Sequence, residues 1–191
     1  MTQAAAPSPP APAVTPVQWM VLPSPVGDLL LTSDGAALTG VAFSPHDELL
    51  ERCRAEGRRH AALPVLAAAA TQLGEYFDDR RREFDLPLAP EGSEFQLRVW
   101  AELRLIPYGA TWSYGRVADR LGLPPGGSRA VGLANGANPL PIVVPCHRVI
   151  GADGSLTGYG GGLERKRTLL ELERSVAGPP AGEEADQLAL L

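Results

Sequence analysis

Val143-Val144-Pro145-Cys146-His147-Arg148-Val149-Ile150-Gly151 is the stretch from which the rest of the chain is read. An apolar run ends at a proline, and one of only two cysteines is followed at once by one of only three histidines. A thiol attacks as the thiolate, and a cysteine of ordinary pKa, about 8.5, is ionised only to a few per cent at neutral pH. A base or a positive charge nearby is what would make Cys146 a nucleophile. Neighbours on an extended segment point to opposite sides. His147 would then take the thiol proton through a bridging water, and Glu173, on the last helical stretch, is the candidate that orients the imidazole. The same pair also reads as a packed small hydrophobe beside a satisfied core histidine. Cys53, Cys146, His46, His60 and His147 show neither CxxC nor HxxxH spacing, so no metal site is expected. A redox dithiol has no second cysteine near Cys146.

Upstream, Asn138–Val144 reads as a Pro-bracketed apolar strand feeding the Cys-His pair. Before it, Ser113 is placed to cap a helix, "YGRVADRLG", that ends at Gly122, and Ser128 to cap a second, "RAVGLANG". Helix, short Gly-rich turn, helix is a helix-turn-helix pattern, one that any pair of packed helices also produces. Ser93 caps a helix from Glu94 to about Leu105, with Phe95, Val99 and Leu103 facing inward. Downstream, a glycine-dense loop, "DGSLTGYGGGL", leads to a closing amphipathic helix over 164–173. The first half reads differently. Strands are expected at 18–22, 29–32 and 38–43, with Asp34-Gly35 as a hairpin signal. A short polar helix follows over 47–57, then a helix opened by Pro64, with Leu66, Ala70, Leu73 and Phe77 on one face. A last strand is expected at 84–88. The whole is α+β: an arm over 1–16, an N-terminal domain over 17–88, a linker over 89–93, a second domain over 94–176 and a loose tail over 177–191.

At 191 residues and 45% hydrophobic content, the chain has enough apolar matter for a core in one domain or two small ones. No run of about 18 apolar residues is present, so no membrane partner is expected. The Ala/Pro/Ser-rich start lacks a basic region and an apolar stretch, which points away from a secretory signal and toward the reducing cytoplasm, with both thiols free. The net charge of −5 is unevenly spread: −6 over residues 1–94 and +4 over 95–175. A basic half suits a polyanion, although local excesses of this size are common on solvated surfaces.

"NPLPIVVPCHRVIG" with "GYGGGLERKRTLLELE" after it resembles the O6-alkylguanine-DNA alkyltransferases, also called methylated-DNA–protein-cysteine methyltransferases. The resemblance covers about 150 residues, from the first strand to Glu173. It implies a ribonuclease-H-like N-terminal half with a small antiparallel sheet, and a winged helix-turn-helix-like half carrying the cysteine. It implies in-line transfer of an alkyl group from O6 of guanine, and in some cases O4 of thymine, to Cys146 as the acceptor, with the protein consumed. His147 is then the base, Glu173 its orienter, and Asn138 the support of the active-site turn. Tyr114 donates to guanine N3, where negative charge develops as the base leaves. Arg129 enters the base stack in place of the flipped nucleotide. Ser128, Ala130, Gly132 and Ser113 let the helices approach the minor groove of duplex DNA, which carries little sequence information. Val149, Tyr159, Gly160 and Arg148 are assigned to the substrate pocket. A monomer without cofactor is expected. Two positions depart from the family: Asp79 stands where a glycine is usual, and Gly160 where some members have a serine that binds the leaving oxygen. The glycine run would widen the pocket for bulkier alkyl groups. The competing reading is a non-enzymatic protein that binds alkyl lesions, against which the presence of Cys146 argues.

Overall fold

The computed structural model describes residues 17–59 and 62–177. The arm over 1–16 and the tail beyond Ala177 lie outside the described residues. Three strands, β1 (Gln18–Leu22), β2 (Leu29–Ser33) and β3 (Leu38–Phe43), form an antiparallel meander. At the Asp34-Gly35 turn, Asp34 Oδ1 accepts from the amides of Ala36 and Ala37 at 2.8 Å each. After helix α1 (Asp47–Glu56), the two-residue strand β4 (Arg58–Arg59) pairs parallel to β1, giving the order β3-β2-β1-β4. That strand is too short to leave a sequence pattern. Helix α2 (Pro64–Phe77) begins on its proline and turns its Leu66, Ala69, Leu73 and Tyr76 inward, all fully buried. The chain leaves α2 through Asp79 at φ +58°, the left-handed region that favours glycine and that aspartate tolerates.

The strand expected at 84–88 does not form. Pro87 has no N–H to give a ladder, and only an isolated bridge joins Leu88 to Leu38. Leu38 N donates to Pro87 O at 2.8 Å, Ala89 N donates to Leu38 O at 3.0 Å, and Val41 N donates to Pro139 O at 2.8 Å. The free edge of β3 is thus covered by residues from both halves of the chain, which removes an exposed strand edge.

Helix α3 (Glu94–Leu103) starts with a capping box. Ser93 Oγ accepts from Gln96 N at 3.3 Å, and Gln96 Oε1 accepts from Ser93 N at 2.8 Å. Strand β5 (Trp112–Ser113) leads into α4 (Tyr114–Arg120), capped by Ser113, whose Oγ accepts from Arg116 N at 3.0 Å. Helix α5 (Ser128–Gly136) is capped differently from the sequence expectation. Gly127 occupies the cap position without a side-chain bond, and Ser128 is the first helical residue. Trp100 Nε1 donates to Ala134 O at 2.8 Å and locks α3 onto α5. Strand β6 (Val149–Ile150) pairs parallel with β5, and α6 (Leu163–Ala177) closes the fold. One continuous apolar core runs from Leu29, Leu66 and Leu73 in the first half to Val99, Val131, Leu140 and Leu169 in the second. Among the described residues, no helix is long and apolar enough to cross a membrane.

Candidate active site around Cys146

The apolar run before Cys146 is a turn, where the sequence pattern predicts a strand. Proline at 139, 141 and 145 removes three ladder donors. Val144 N donates back to Leu140 O at 2.8 Å, and Ile142 sits at φ +74°. A β-branched residue there stores roughly 1–3 kcal/mol of backbone strain. Asn138 spans the turn: its Nδ2 donates to Val144 O at 2.8 Å and its Oδ1 accepts from Leu140 N at 3.0 Å. Pro145, at φ −80° and ψ 62°, is the centre of an inverse γ-turn closed by Cys146 N donating to Val144 O at 2.8 Å. Cys146–Arg148 then form a single 3-10 turn, not the extended segment on which the alternation of side chains is argued from sequence.

Three turn residues therefore diverge from one point. Cys146, 4% exposed, borders a cavity of about 250 Å³ also lined by Phe43, Asn135, Asn138, Tyr159 and Gly160. His147 points into the protein, where its Nε2 lies 2.7 Å from Glu173 Oε1. Arg148 does not reach the cavity, contrary to its assignment to the substrate pocket. Its Nε donates to Glu173 Oε2 and its Nη2 to Glu173 Oε1, both at 2.9 Å, and its Nη1 donates to Ile106 O at 2.7 Å. A buried guanidinium needs a carboxylate, and this one shares the carboxylate of His147.

Burial works to raise the Glu173 carboxyl, but the hydrogen bonds from His147 and Arg148 and the guanidinium charge outweigh it and hold it at about 2. Burial lowers the His147 imidazole, partly against Glu173, so the ring is neutral. A carboxylate can only accept, so Nε2 carries the proton and Nδ1 carries the lone pair. Nδ1 is buried and has no hydrogen-bond partner among the described residues. The arrangement is an oriented base with its accepting atom unused. The Cys146 thiol is pushed up to about 11 by burial, against the pull of Asn138, Lys166 and Tyr159.

Val149 is fully buried, and its carbonyl accepts from Lys166 Nζ at 2.6 Å. Lys166 Nζ also donates to Thr157 O at 2.9 Å, tying the glycine-rich loop to β6. Burial pulls this ammonium down to about 8. Tyr114 reaches the same loop, its hydroxyl 3.3 Å from Thr157 O and 3.5 Å from Gly158 O, and burial raises its phenol. Tyr159 brings its buried hydroxyl beside the Cys146 thiol, and burial raises its phenol. Gly160 faces Gly136 O, which would lie 3.6 Å from an added Cβ. Arg129 and Ala130 are exposed at the start of α5 with Ser128, and Gly132 is half-buried against Tyr114. Ser113 spends its hydroxyl on the cap of α4.

Three residues of the site escape the sequence reading. Asn135 donates from Nδ2 to Cys146 O at 3.3 Å, Lys166 anchors the loop, and Tyr76 donates to Glu173 Oε1 at 2.8 Å. A signal exists for two of them. Asn135 lies one helical turn after Val131, and Lys166 falls on one stripe with Leu169, Leu170 and Glu173, so each is a polar residue on a buried face.

Both halves of the chain are similar to known proteins. Residues 17–90 match the family model "6-O-methylguanine DNA methyltransferase, ribonuclease-like domain", and residues 94–175 match "6-O-methylguanine DNA methyltransferase, DNA binding domain". The methylated-DNA–protein-cysteine methyltransferase of Mycobacterium tuberculosis H37Rv is 48% identical over 163 residues, 84% of this chain and 94% of that protein. The protein of the same name from Methanosarcina acetivorans is 44% identical, over 82% of this chain and 98% of its own length. The crystal structure of M. tuberculosis OGT in complex with DNA superposes with a TM-score of 0.75 at 47% identity, covering 83% of this chain and 94% of that one. With both halves matched and the cysteine turn seated between them, the chain belongs to the 6-O-methylguanine DNA methyltransferase family.

Proposed function

We propose that the protein repairs alkylated duplex DNA by moving the alkyl group of O6-alkylguanine, and of O4-alkylthymine, onto Sγ of Cys146, and that each molecule does so once. The observation that carries this reading is the unused Nδ1 of a neutral, carboxylate-oriented His147 one residue from a cysteine that borders a cavity. The Cys146 proton passes through a water to Nδ1, the sulfur attacks the alkyl carbon in line, and the C–O6 bond breaks with its electron pair going to guanine. Tyr114 then supplies a proton or hydrogen bond at N3. A thioether forms, and in this reading the protein stays alkylated. Residues 17–88 act as scaffold, 89–93 as linker and 94–176 as the DNA-binding and reacting part. One chain contains the whole relay, in keeping with a monomer, and a free thiol in keeping with the cytoplasm.

The test is intact mass and peptide mapping after mixing the protein with a duplex holding one O6-methylguanine. One methyl per protein, on the Cys146 peptide, is the expected result. Unchanged mass with tight lesion binding would replace this reading with a lesion-binding protein.

Arg129 is exposed at the start of α5, and in this reading it enters the minor groove and fills the gap left by the flipped base. Unstacking costs a few kcal/mol, so Arg129→Ala is expected to slow transfer from duplex roughly tenfold to a hundredfold and to affect single-stranded substrate little. Equal losses on both substrates would remove the stack-filling role. At Gly160 and Gly136 no side chain enters the cavity. A benzyl adduct is therefore expected to transfer at a rate comparable with methyl, and its exclusion in the same single-turnover assay would show the cavity to be narrower than its lining implies.

A further inference from the structure

The carboxylate of Glu173 is held from both halves of the chain. Oε1 accepts from the Tyr76 hydroxyl at 2.8 Å, from His147 Nε2 at 2.7 Å and from Arg148 Nη2 at 2.9 Å. Oε2 accepts from Arg148 Nε at 2.9 Å and from Gly109 N at 3.1 Å. Four of these donors come from the second half, and one comes from α2, 97 residues before Glu173. Tyr76 is fully buried and packed against the rings of Phe77, Phe84 and Tyr108, at centroid distances of 5.3, 5.6 and 6.0 Å. Phenylalanine would satisfy that packing equally well. The hydroxyl is the one part of the side chain that packing does not explain, and its bond goes to the oxygen that holds His147.

We infer that Tyr76 is a positioning residue for alkyl transfer: its hydroxyl fixes Glu173 Oε1, and through it the orientation and basicity of His147. This rests on the alkyl-transfer reading. The half of the chain that carries no cysteine or histidine of the relay thereby tunes the proton acceptor of the other half.

The physical link is charge sharing. A carboxylate has about four lone-pair sites, and five donors saturate it. How much negative charge Oε1 presents to Nε2–H depends on how many other donors draw on it. The groups facing the imidazole are Glu173 and Lys166 on α6, and Arg148 on its own turn; Tyr76 on α2 and Tyr108 after α3 face the carboxylate. Removing the Tyr76 hydroxyl leaves the cations in place and takes one donor from Oε1. The freed charge stabilises the imidazolium. His147 then holds its second proton to higher pH and is lost as a base sooner on acidification.

The experiment compares the wild-type protein with Tyr76→Phe in single-turnover methyl transfer from an O6-methylguanine duplex, over about pH 5 to 9. DNA affinity, thermal stability and the ring-nitrogen NMR titration of His147 are followed in parallel. Tyr76→Phe is expected to move both the acid limb of the rate and the His147 titration upward by about half a pH unit or more, with DNA affinity unchanged. Added to Glu173→Gln, it is expected to leave the His147 titration unshifted. 3-Fluorotyrosine at position 76, a stronger donor of nearly the same shape, should move the limb the opposite way. It also decides the matter if the phenylalanine variant is too unstable to assay. A lower melting temperature with an unmoved limb and titration would overturn the proposal and leave Tyr76 as packing. A wild-type protein that transfers no methyl would instead overturn the alkyl-transfer reading, and the His147 titration would still decide the role of Tyr76.

Discussion

Glu173→Ala is expected to destabilise the protein by about 3–5 kcal/mol and to bring methyl transfer at neutral pH close to zero. The stability loss follows from what stays behind. Arg148, 5% exposed, keeps its hydrogen bond to Ile106 O and its place over the Tyr108 ring but no counter-charge, and an uncompensated buried guanidinium is among the most costly single defects a core can hold. Tyr76 and Gly109 lose an acceptor in the same place. The activity loss follows from His147, which loses both the partner that fixes its tautomer and the anion that stabilises its protonated form. The pH dependence gives a second reading of the same group. Glu173 is held at about 2, below its ordinary 4.5, so its contribution is fully present above about 4.5 and is lost as pH falls through that window toward 2. Urea denaturation at pH 7 and in acid measures both. The wild-type protein should weaken steeply on acidification through this window and the alanine variant should not. A loss below about 1 kcal/mol at pH 7 would mean that the carboxylate does not neutralise Arg148 as the distances require.

Those distances explain what the sequence can and cannot show. Periodicity locates α2, α3 and α6, because each buries one stripe and leaves the rest to solvent. The β1–β3 meander is legible from its turn residues, and the cap of α4 from Ser113. The failures fall where proline overrides an apolar run. Residues 84–88 and 138–144 look like strands by hydrophobicity, but they cannot donate along a ladder and become a bridge and a strained turn. Local pattern also says nothing about long-range polar pairing. The pairing of His147 with Glu173 is implied by family positions, and the structure brings the pair to 2.7 Å. Arg148 falls on the wrong side of the turn when the turn is read as extended. In a 3-10 turn the third residue faces the carboxylate of the second, and the cavity is left to Cys146 and the loop at Tyr159. Tyr76 is unreadable in principle from spacing. An apolar helix face that contains a tyrosine does not say whether the hydroxyl is spare or bonded.

Cys146→Ser is expected to abolish transfer while leaving lesion binding in place. Burial pushes the thiol up to about 11, so at pH 7 it is held protonated. The site therefore does not store a reactive anion. It must make one when the substrate arrives, by moving the proton to the unused Nδ1 of His147 and by the pull of Lys166 and the amide of Asn138 on the sulfur. A serine hydroxyl is several pKa units weaker as an acid and a poorer nucleophile toward saturated carbon, so the same relay has too little driving force to ionise it. The substitution is nearly isosteric and leaves Asn135, Asn138 and Tyr159 around the cavity, so the flipped base is still accommodated. Mass analysis after prolonged incubation with an O6-methylguanine duplex should show no added methyl, and a gel or fluorescence titration should show lesion affinity near that of the wild type. Peptide mapping separates the alternatives. A methyl recovered on the Cys53 peptide would place the acceptor on α1, away from His147 and its carboxylate, and the relay would then have no part in the chemistry. Transfer to the introduced serine hydroxyl of Cys146→Ser at a wild-type rate would mean that the cavity alone activates the substrate and that ionisation of the acceptor is not the difficult step.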